Sequence, residues 1–420
     1  ETGEEDVRLR GFSLGQAGDI YVDGLRDAPL IERDTFNQDR VEVLKGSASM
    51  LFGKGSTGGV VNQVNKAPKL LEEHEMNLTL GSGNQRRLTG DFNWVTGEDA
   101  ALRLNVMTHQ ADNWGAKVDK KGIAPTFRWG IGERDEYSVG LYHLETDGRP
   151  LYSQPWMVDN GSSVNGGTGR NSSGTLVPVL GAQNYYGLAS DHLRTDTTYV
   201  TAAQKHRFDQ SSELRTTVRY GHYKRDLLGA QVGFQSLTQL ANLNDATVLA
   251  RNPKARYGDS DVLQLQSDYS ARLQAWGLKH ALLAGMDLAR EKKTVYAVRS
   301  PADGGATVPA KPVTYAGTPD DGAWADEALR TLRVNNDYQS IGLGLYAQDT
   351  VEVAPHWKLV GGLRWDYIGT RVINNVFADN SGQHDQSTLT PKIGAVFTPI
   401  RAIDAYTFFL EDDLGDKLTE

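Results

Sequence analysis

Three glycines near the N-terminus have the spacing of a nucleotide-binding turn. Gly53, Gly55 and Gly58 form G-x-G-x-x-G, and such a turn holds pyrophosphate only where a strand precedes it and a helix follows it. Residues 60–64 read VVNQV, which favours a strand because β-branched side chains suit extended backbone. A P-loop is excluded because Lys54 is followed by Gly55 instead of Ser or Thr. We therefore expect a tight turn between two strands and no bound nucleotide.

Residues that could support hydrolysis or hold a metal ion form only one noticeable group. His143, Glu145 and Asp147 are the best acid–base cluster, but no clear nucleophile accompanies them, so a protease or lipase is the weaker hypothesis. The nine histidines have no ligand spacing, and the chain has no cysteine, so we expect neither a metal site nor a disulfide. The sequence therefore predicts a protein that is not an enzyme and has no cofactor.

Composition narrows the class of protein. The 420 residues carry a net charge of −9, which argues against a nucleic-acid partner. No run of apolar residues is long enough for a membrane-spanning helix, and even the strongly apolar segment His280–Ala289 contains Asp287. The 45 glycines are typical of turn-rich β architecture. A membrane β-barrel is not excluded, because its apolar residues alternate with polar ones and form no long apolar run.

The residue pattern divides the chain into two regions. Residues 1–69 hold short strands and many turns, whereas long stretches of alternating apolar and polar residues follow. Met76, Leu78 and Leu80 share one face of such a stretch, and Val218 and Tyr220 share another. Alternation alone cannot distinguish a soluble sandwich from a membrane barrel.

Two further features favour the barrel. Many alternating segments exceed ten residues, which is long for a soluble sandwich. Short turns at 96–101 and 130–136 contrast with long excursions at 151–194 and 297–336, as in outer-membrane barrels. Aromatic residues that favour the lipid–water boundary occur near segment ends: Trp94, Tyr137, Trp357, Trp365 and Tyr367.

Residues 8–68 resemble the plug domain of TonB-dependent outer-membrane receptors. The matching pieces follow the family's order: Arg10-Gly11-Phe12, Ile20-Tyr21-Val22-Asp23-Gly24-Leu25, Arg40-Val41-Glu42-Val43-Leu44-Lys45-Gly46, Leu51-Phe52-Gly53 and Gly58-Gly59-Val60-Val61-Asn62. Residues 22–27, VDGLRD, together with residues 33–37, RDTFN, resemble the ferric-siderophore branch, especially its catecholate receptors.

The resemblance implies a mainly β fold. We expect a transmembrane antiparallel barrel, of about 22 strands in the family, with an α+β plug inside its lumen. The plug is expected over 1–69, barrel strands with long extracellular loops over 70–400, and an atypical tail over 401–420. Only about eleven strand-like segments are visible, roughly half a barrel, and the TonB box and first plug strands are expected outside the given sequence. Such a half-barrel would expose unpaired edges and is not expected to be stable alone in lipid.

The implied function is TonB-dependent uptake of a ferric siderophore, with iron arriving inside the chelate. Expected partners are the siderophore, TonB with ExbB and ExbD, outer-membrane lipid and lipopolysaccharide, and colicins or phages. The implied location is the outer membrane of a Gram-negative bacterium. The alternatives are a receptor of the same fold for another chelate such as haem or cobalamin, or an outer-membrane barrel enzyme. A passive pore or adhesin is disfavoured because a plug fills the lumen.

The resemblance also implies candidate site residues. A ferric catecholate is a bulky anion with aromatic rings, so cationic and aromatic side chains complement it. By motif position, the plug offers Arg10, Arg26, Asp27, Arg33 and Phe36. Trp156, Tyr185, Tyr186 and Arg194 lie in or beside the longest loop. Arg40 and Lys45 are expected to pair with barrel carboxylates and hold the plug in place.

Overall fold

The computed structural model describes residues 7–29, 31–45, 58–152, 154–158, 175–236, 238, 240–376, 380–398 and 407–410. This part of the chain is almost entirely β-structure, organised as a small N-terminal domain, the plug, and one large curved sheet, the wall. The predicted mainly β fold is confirmed. No helix in the described residues is long and apolar enough to cross a bilayer.

The plug contains one mixed sheet and one short hairpin. Its sheet has the strand order β4 (Leu25–Arg26), β3 (Ile20–Val22), β6 (Gly59–Asn65), β5 (Gln38–Lys45), in which β3 and β6 are parallel and the other pairs are antiparallel. The other plug elements are β1 (Arg8–Leu9), β2 (Phe12–Ser13) and α1 (Leu14–Ala17). Gly53 and Gly55 lie outside the described residues. A strand, β6, follows Gly58, so the expected absence of a helix at this position is confirmed.

A tight turn joins β3 to β4. Asp23 and Gly24 have φ angles of 53° and 83°, the left-handed backbone that an Asp-Gly pair supplies in two-residue hairpins. The Asp23 carboxylate accepts hydrogen bonds from the backbone and side-chain nitrogens of Asn65, both at 2.8 Å. The Gly24 amide donates to Asn62 Oδ1 at 3.0 Å. The hairpin turn is therefore fixed to β6.

Within the described residues, the wall is an up-and-down antiparallel sheet with thirteen strands along its path. These are β7 (Glu73–Gly81), β8 (Gln85–Val95), β9 (Ala101–Ala111), β10 (Val118–Trp129), β11 (Asp135–Gly148), β14 (His192–Arg207), β15 (Ser212–Phe234), β16 (Val248–Ala275), β17 (Leu278–Val298), β19 (Leu332–Ala354), β20 (Trp357–Asn374), β21 (Gly382–Phe397) and β22 (Thr407–Leu410). The hairpin of β12 (Trp156–Val158) and β13 (Leu176–Pro178) lies in the first long loop, and β18 (Thr314–Tyr315) pairs with β16. The predicted count of about eleven was low. Of the predicted tail over 401–420, only β22 lies within the described residues.

The two faces of the wall are reversed relative to a soluble sheet. On β15, Val218 and Tyr220 are exposed, whereas Arg219 between them is 1% exposed. Leu263 on the neighbouring strand is also exposed, and Gln264 beside it is buried. Apolar side chains thus point outward and polar ones point toward the plug, which confirms the barrel interpretation of the alternation.

Aromatic side chains collect where the short turns are. Trp129 stacks between Phe127 and Tyr137 beside the turn that joins β10 to β11. Trp357 stacks on Phe397 at the same end of the wall. A girdle of aromatic residues is expected where the strands of a membrane barrel leave the lipid. The opposite end carries the long loops.

The concave face of the wall encloses the plug. Val22 and Phe36 of the plug share a buried cluster with Met107, Tyr142 and Leu144 of the wall. This cluster lies between the two domains, so burial of its apolar side chains stabilises their contact. The packing places the plug loop, which is the described part of residues 27–36, against β8–β11.

Candidate functional site

The plug loop over residues 27–36 is folded around a buried ion pair. Arg33 Nε donates to Asp27 Oδ2 at 2.8 Å, and Arg33 Nη2 donates to the Ala28 carbonyl at 2.7 Å. Tyr223 of the wall donates its hydroxyl to Asp27 Oδ1 at 3.2 Å. Arg33 and Asp27 are both buried, and their described partners include each other, the Ala28 carbonyl and Tyr223 of the wall. In this conformation they shape the loop and present little charge to a ligand.

Two ion pairs fasten the same loop to the wall. Arg87 on β8 donates both terminal nitrogens to the Asp34 carboxylate, at 2.6 Å and 2.9 Å. Lys120 on β10 binds Glu32 Oε2 at 2.9 Å. A bidentate arginine–carboxylate pair is strong and directional. We call these two pairs the loop tethers.

An aromatic stack continues from the plug into the wall. The Phe36 ring lies 5.7 Å from the Tyr142 ring, and Tyr142 lies 4.6 Å from Tyr199. The Arg219 guanidinium covers the other face of Tyr199 at 4.6 Å. Gly122 borders Phe36 so closely that a Cβ there would lie 2.6 Å from the ring. Phe36 is therefore a packing contact between plug and wall in this conformation.

The chain leaves the plug through a polar junction near the short turns. Lys66 and Arg103 both bind the Asp91 carboxylate, at 2.8 Å and 2.7 Å. Arg103 also donates to the Ala67 carbonyl at 3.0 Å, and Arg128 donates to the Pro68 carbonyl at 3.0 Å. These contacts fix the end of the plug to β8–β10.

Arg26 lies on the other side of the plug. Its side chain is 3.8 Å from Asp19 Oδ1, and its carbonyl accepts a hydrogen bond from Gln264 Nε2 on β16 at 2.7 Å. Arg26 also lines a cavity between plug and wall. Asp27, a second predicted plug ligand residue, lines the same cavity.

The remaining predicted plug residues are exposed. Arg10 lies in the turn between β1 and β2 with a φ of 53°. Arg40 pairs with Asp39 and Glu42 of its own strand, at 3.1 Å and 2.8 Å. A hydrogen bond from Asn62, and then Arg40, lowers the pKa of the Glu42 carboxyl. Lys45 is exposed at the end of β5. Pairing of Arg40 and Lys45 with barrel carboxylates stays a prediction.

The two predicted tyrosines are buried among the long loops. Arg149 covers the Tyr185 ring at 4.4 Å, and burial raises the pKa of the Tyr185 hydroxyl. Tyr186 donates its hydroxyl to the Ala316 carbonyl at 2.7 Å, and its own carbonyl accepts from Arg251 Nε at 2.6 Å. Both rings support loop packing here, and ligand contact by either stays a prediction that requires the loops to open.

Charged side chains join the two long loops into one unit. Lys311 of the second loop binds the buried Asp191 of the first at 2.7 Å. Arg251 of β16 bridges them, since it binds Asp321 of the second loop at 2.8 Å and donates to the Tyr186 carbonyl of the first. The amide of Ala189 donates to the Ala323 carbonyl at 2.9 Å. We call this unit, over the described parts of residues 149–191 and 299–331, the loop cap.

Trp156 and Arg194 remain accessible at the rim. Trp156 is 45% exposed in the β12–β13 hairpin. Arg194 binds Asp147 at 3.0 Å, and both side chains are largely exposed. The predicted site residues thus divide into a plug group around Asp27 and a loop group around Tyr185, with Trp156 as the exposed ring of the loop group.

The candidate hydrolytic cluster does not assemble. His143 Nδ1 lies 2.9 Å from Thr198 Oγ1, and Asp147 is occupied by Arg194. Within the described ranges, no group of three or more His, Asp or Glu side chains could hold a metal ion.

Sequence reasoning missed the residues that connect plug and wall. Asp34 and Arg87 are 53 positions apart, and nothing in the sequence pairs them. The alternation of β8 could place Arg87 on the polar face, but it could not identify the plug residue opposite. Gln264 and Tyr223 were missed for the same reason.

A curved antiparallel wall with an apolar outer face and a small mixed-sheet domain inside it defines a plugged outer-membrane barrel. Two family profiles match: "TonB-dependent Receptor Plug Domain" over residues 1–60 and "TonB dependent receptor-like, beta-barrel" over residues 136–410. The chain belongs to the family of TonB-dependent receptors.

Named relatives agree with this family. The chain is 28% identical over 389 residues to the catecholate siderophore receptor Fiu of Escherichia coli O6:H1, covering 91% of this chain and 49% of the relative. It is 26% identical to the ferrioxamine B receptor of Salmonella typhimurium, covering 93% and 53%. The crystal structure of the siderophore receptor PiuA from Acinetobacter baumannii superposes with a TM-score of 0.81 at 22% identity, covering 95% and 58%. The chain spans about half the length of the curated relatives it matches.

Proposed function

We propose that the receptor containing this chain imports a ferric siderophore of catecholate type across the outer membrane, driven through TonB with ExbB and ExbD. The observation that carries the proposal is the plug seated inside the wall by the loop tethers. A plugged lumen excludes free diffusion, so passage requires work on the plug. The relative named as a catecholate siderophore receptor supports the class of cargo.

The chemistry of the lumen mouth is consistent with a chelated iron. The iron is cargo and is already coordinated, so the protein needs to recognise only the organic shell. Arg26 at the plug surface and Trp156 at the rim supply charge and an aromatic face, which suit an anionic catecholate. A ferric trihydroxamate is the second candidate cargo, because another relative is named for ferrioxamine B.

The test is a tryptophan-fluorescence titration of the full-length receptor with a ferric tris-catecholate, a ferric trihydroxamate, haem and cobalamin. We expect saturable quenching by the catecholate. Saturation only by haem or cobalamin would replace the proposed cargo, and quenching by none of the four would refute the proposal.

Variants then locate the site. Arg26→Ala and Phe36→Ala are expected to weaken catecholate binding, Arg26 by loss of charge and Phe36 by loosening the plug loop. Arg134→Ala, in the short turn between β10 and β11, is the matched control. Unchanged affinity in Arg26→Ala would remove that residue from the site.

A further inference from the structure

Two cavities lie beside the plug. The upper cavity, about 480 Å³, separates the β3–β4 hairpin from β16, β17, β19 and β20. The lower cavity, about 550 Å³, extends from the underside of the same hairpin toward the short-turn end, where Arg128 and Glu136 line it. Each volume is within the range of small-molecule sites.

The two cavities meet at one place. Gly24 of the hairpin turn and Gln266 of β16 line both of them. The polar lining of the upper cavity carries both signs of charge, with Asp287, Glu291 and Arg26 among its residues. The hairpin turn therefore separates the upper cavity, on the side of the long loops, from the lower cavity, on the side of the short turns.

The attachments of the plug differ between its two sides. On the β8–β11 side, the loop tethers and the Lys66 junction are ion pairs of 2.6–2.9 Å. On the β15–β16 side, the described hydrogen bonds and apolar contacts use uncharged side chains of the wall: Gln264 donates to the Arg26 carbonyl, Tyr223 donates to Asp27, and Ala28 packs with Tyr223 and Val262. The described ion pair on this side, between Arg219 Nη2 and Asp23 Oδ2, is longer at 3.6 Å and makes no hydrogen bond. β4 is also a two-residue strand at the edge of the plug sheet.

We propose that the β3–β4 hairpin is a gate between the two cavities, and that cargo passes along β16–β20 while the plug stays attached to β8–β11. This inference rests on the proposed transport function and adds the route. Moving the hairpin away from Gln264 and Gln266 joins the chambers into one passage. The strong pairs on the other side remain closed during this movement.

Paired cysteines in the full-length receptor test the route. Leu25→Cys with Gln264→Cys places two thiols across the gate, and Glu32→Cys with Lys120→Cys places two across a loop tether. Each pair is closed with a short bis-maleimide and compared with the same variant left open. Uptake of iron from the ferric tris-catecholate is expected to stop when the gate pair is closed and to continue when the tether pair is closed. If both links stop uptake, or if neither does, or if only the tether link does, the proposed route is wrong.

A thiol reporter makes the test independent of the cargo. The chain has no cysteine of its own, so Gln266→Cys gives this chain a single thiol at the point where the two cavities meet. Gln264→Glu keeps the side-chain size but removes the donor to the Arg26 carbonyl. We expect labelling of Gln266→Cys by a bulky maleimide to rise about tenfold in this background, equivalent to ~1.4 kcal/mol.

Gln85→Glu is the control, because Gln85 contacts His109 of the wall on the tethered side. No increase with Gln264→Glu, or an equal increase with Gln85→Glu, would overturn the gate. Chelate titration reports the proposed function separately, so a receptor that labels as expected but binds no chelate would refute the cargo and retain the gate.

Discussion

The contact between Phe36 and Gly122 gives a double-mutant cycle with an unusual sign. Phe36 is 5% exposed and stacks on Tyr142, so Phe36→Ala is expected to destabilise the closed plug loop by about 3 kcal/mol, the lower end for a buried aromatic residue. Gly122→Ala alone places a methyl group 2.6 Å from the Phe36 ring. The ring must shift, which costs about 1–2 kcal/mol.

The two changes together are not expected to add. Once Phe36 is truncated, the methyl group of Gly122→Ala enters the space left by the ring, and its penalty disappears. The expected coupling equals that penalty, about 1–2 kcal/mol in favour of the double variant. Gly122 has an ordinary strand backbone, because no left-handed φ is present there, so strain does not confuse the result.

Native-state hydrogen exchange is the suitable assay, because it reports the opening free energy of the plug loop without unfolding the barrel. Peptides over residues 31–45 are followed in the full-length receptor, and peptides of β15 serve as the internal control. Additive destabilisation by the two substitutions would refute the packing described for Phe36.

Three further predictions follow from other contacts. Arg87→Ala leaves the Asp34 carboxylate unpaired and should raise exchange in the same loop by about 2 kcal/mol of opening free energy; unchanged exchange would mean that the pair does not hold the loop. Burial opposes ionisation of Asp321 in the loop cap, but the hydrogen bond from Arg251 outweighs it and lowers the pKa of this carboxyl below its usual 3.8. The cap should therefore keep its protection from proteolysis above that value and lose it as pH falls through the lower, folded-state pKa, whereas Asp321→Asn should be less protected already at neutral pH. Gly59→Ala should prevent plug folding, because φ is 129° and a Cβ would lie 2.5 Å from Leu9; a normal yield of protease-resistant plug would contradict this.

The wall was predictable because its information is local. The alternation around Val218, Arg219 and Tyr220 needs only neighbouring residues, and the structure places these side chains as the pattern indicates. The strand count was low where that pattern weakens. β10 reads VDKKGIAPTFRW, and Gly122 and Pro125 interrupt its alternation although the strand pairs on both sides.

The site was less predictable because its contacts are distant in sequence. The family resemblance directed attention to Asp27, Arg33 and Phe36, but not to their partners. Whether Tyr185 meets a ligand or packs under Arg149 depends on how two loops more than a hundred residues apart fold together. Residue type alone is the same in both cases.

The length of β16 determines the nature of the receptor's mouth. Its 28 residues extend roughly 90 Å at about 3.3 Å per residue, or roughly 70 Å of height when tilted by about 40°. A bilayer interior of about 30 Å leaves much of this strand standing in water, where its ladder with β15 continues to the pair Phe234–Leu249. The rim is therefore built of paired, hydrogen-bonded strands. A mouth of this kind keeps its shape while empty, so an arriving molecule loses less affinity to ordering the protein around it.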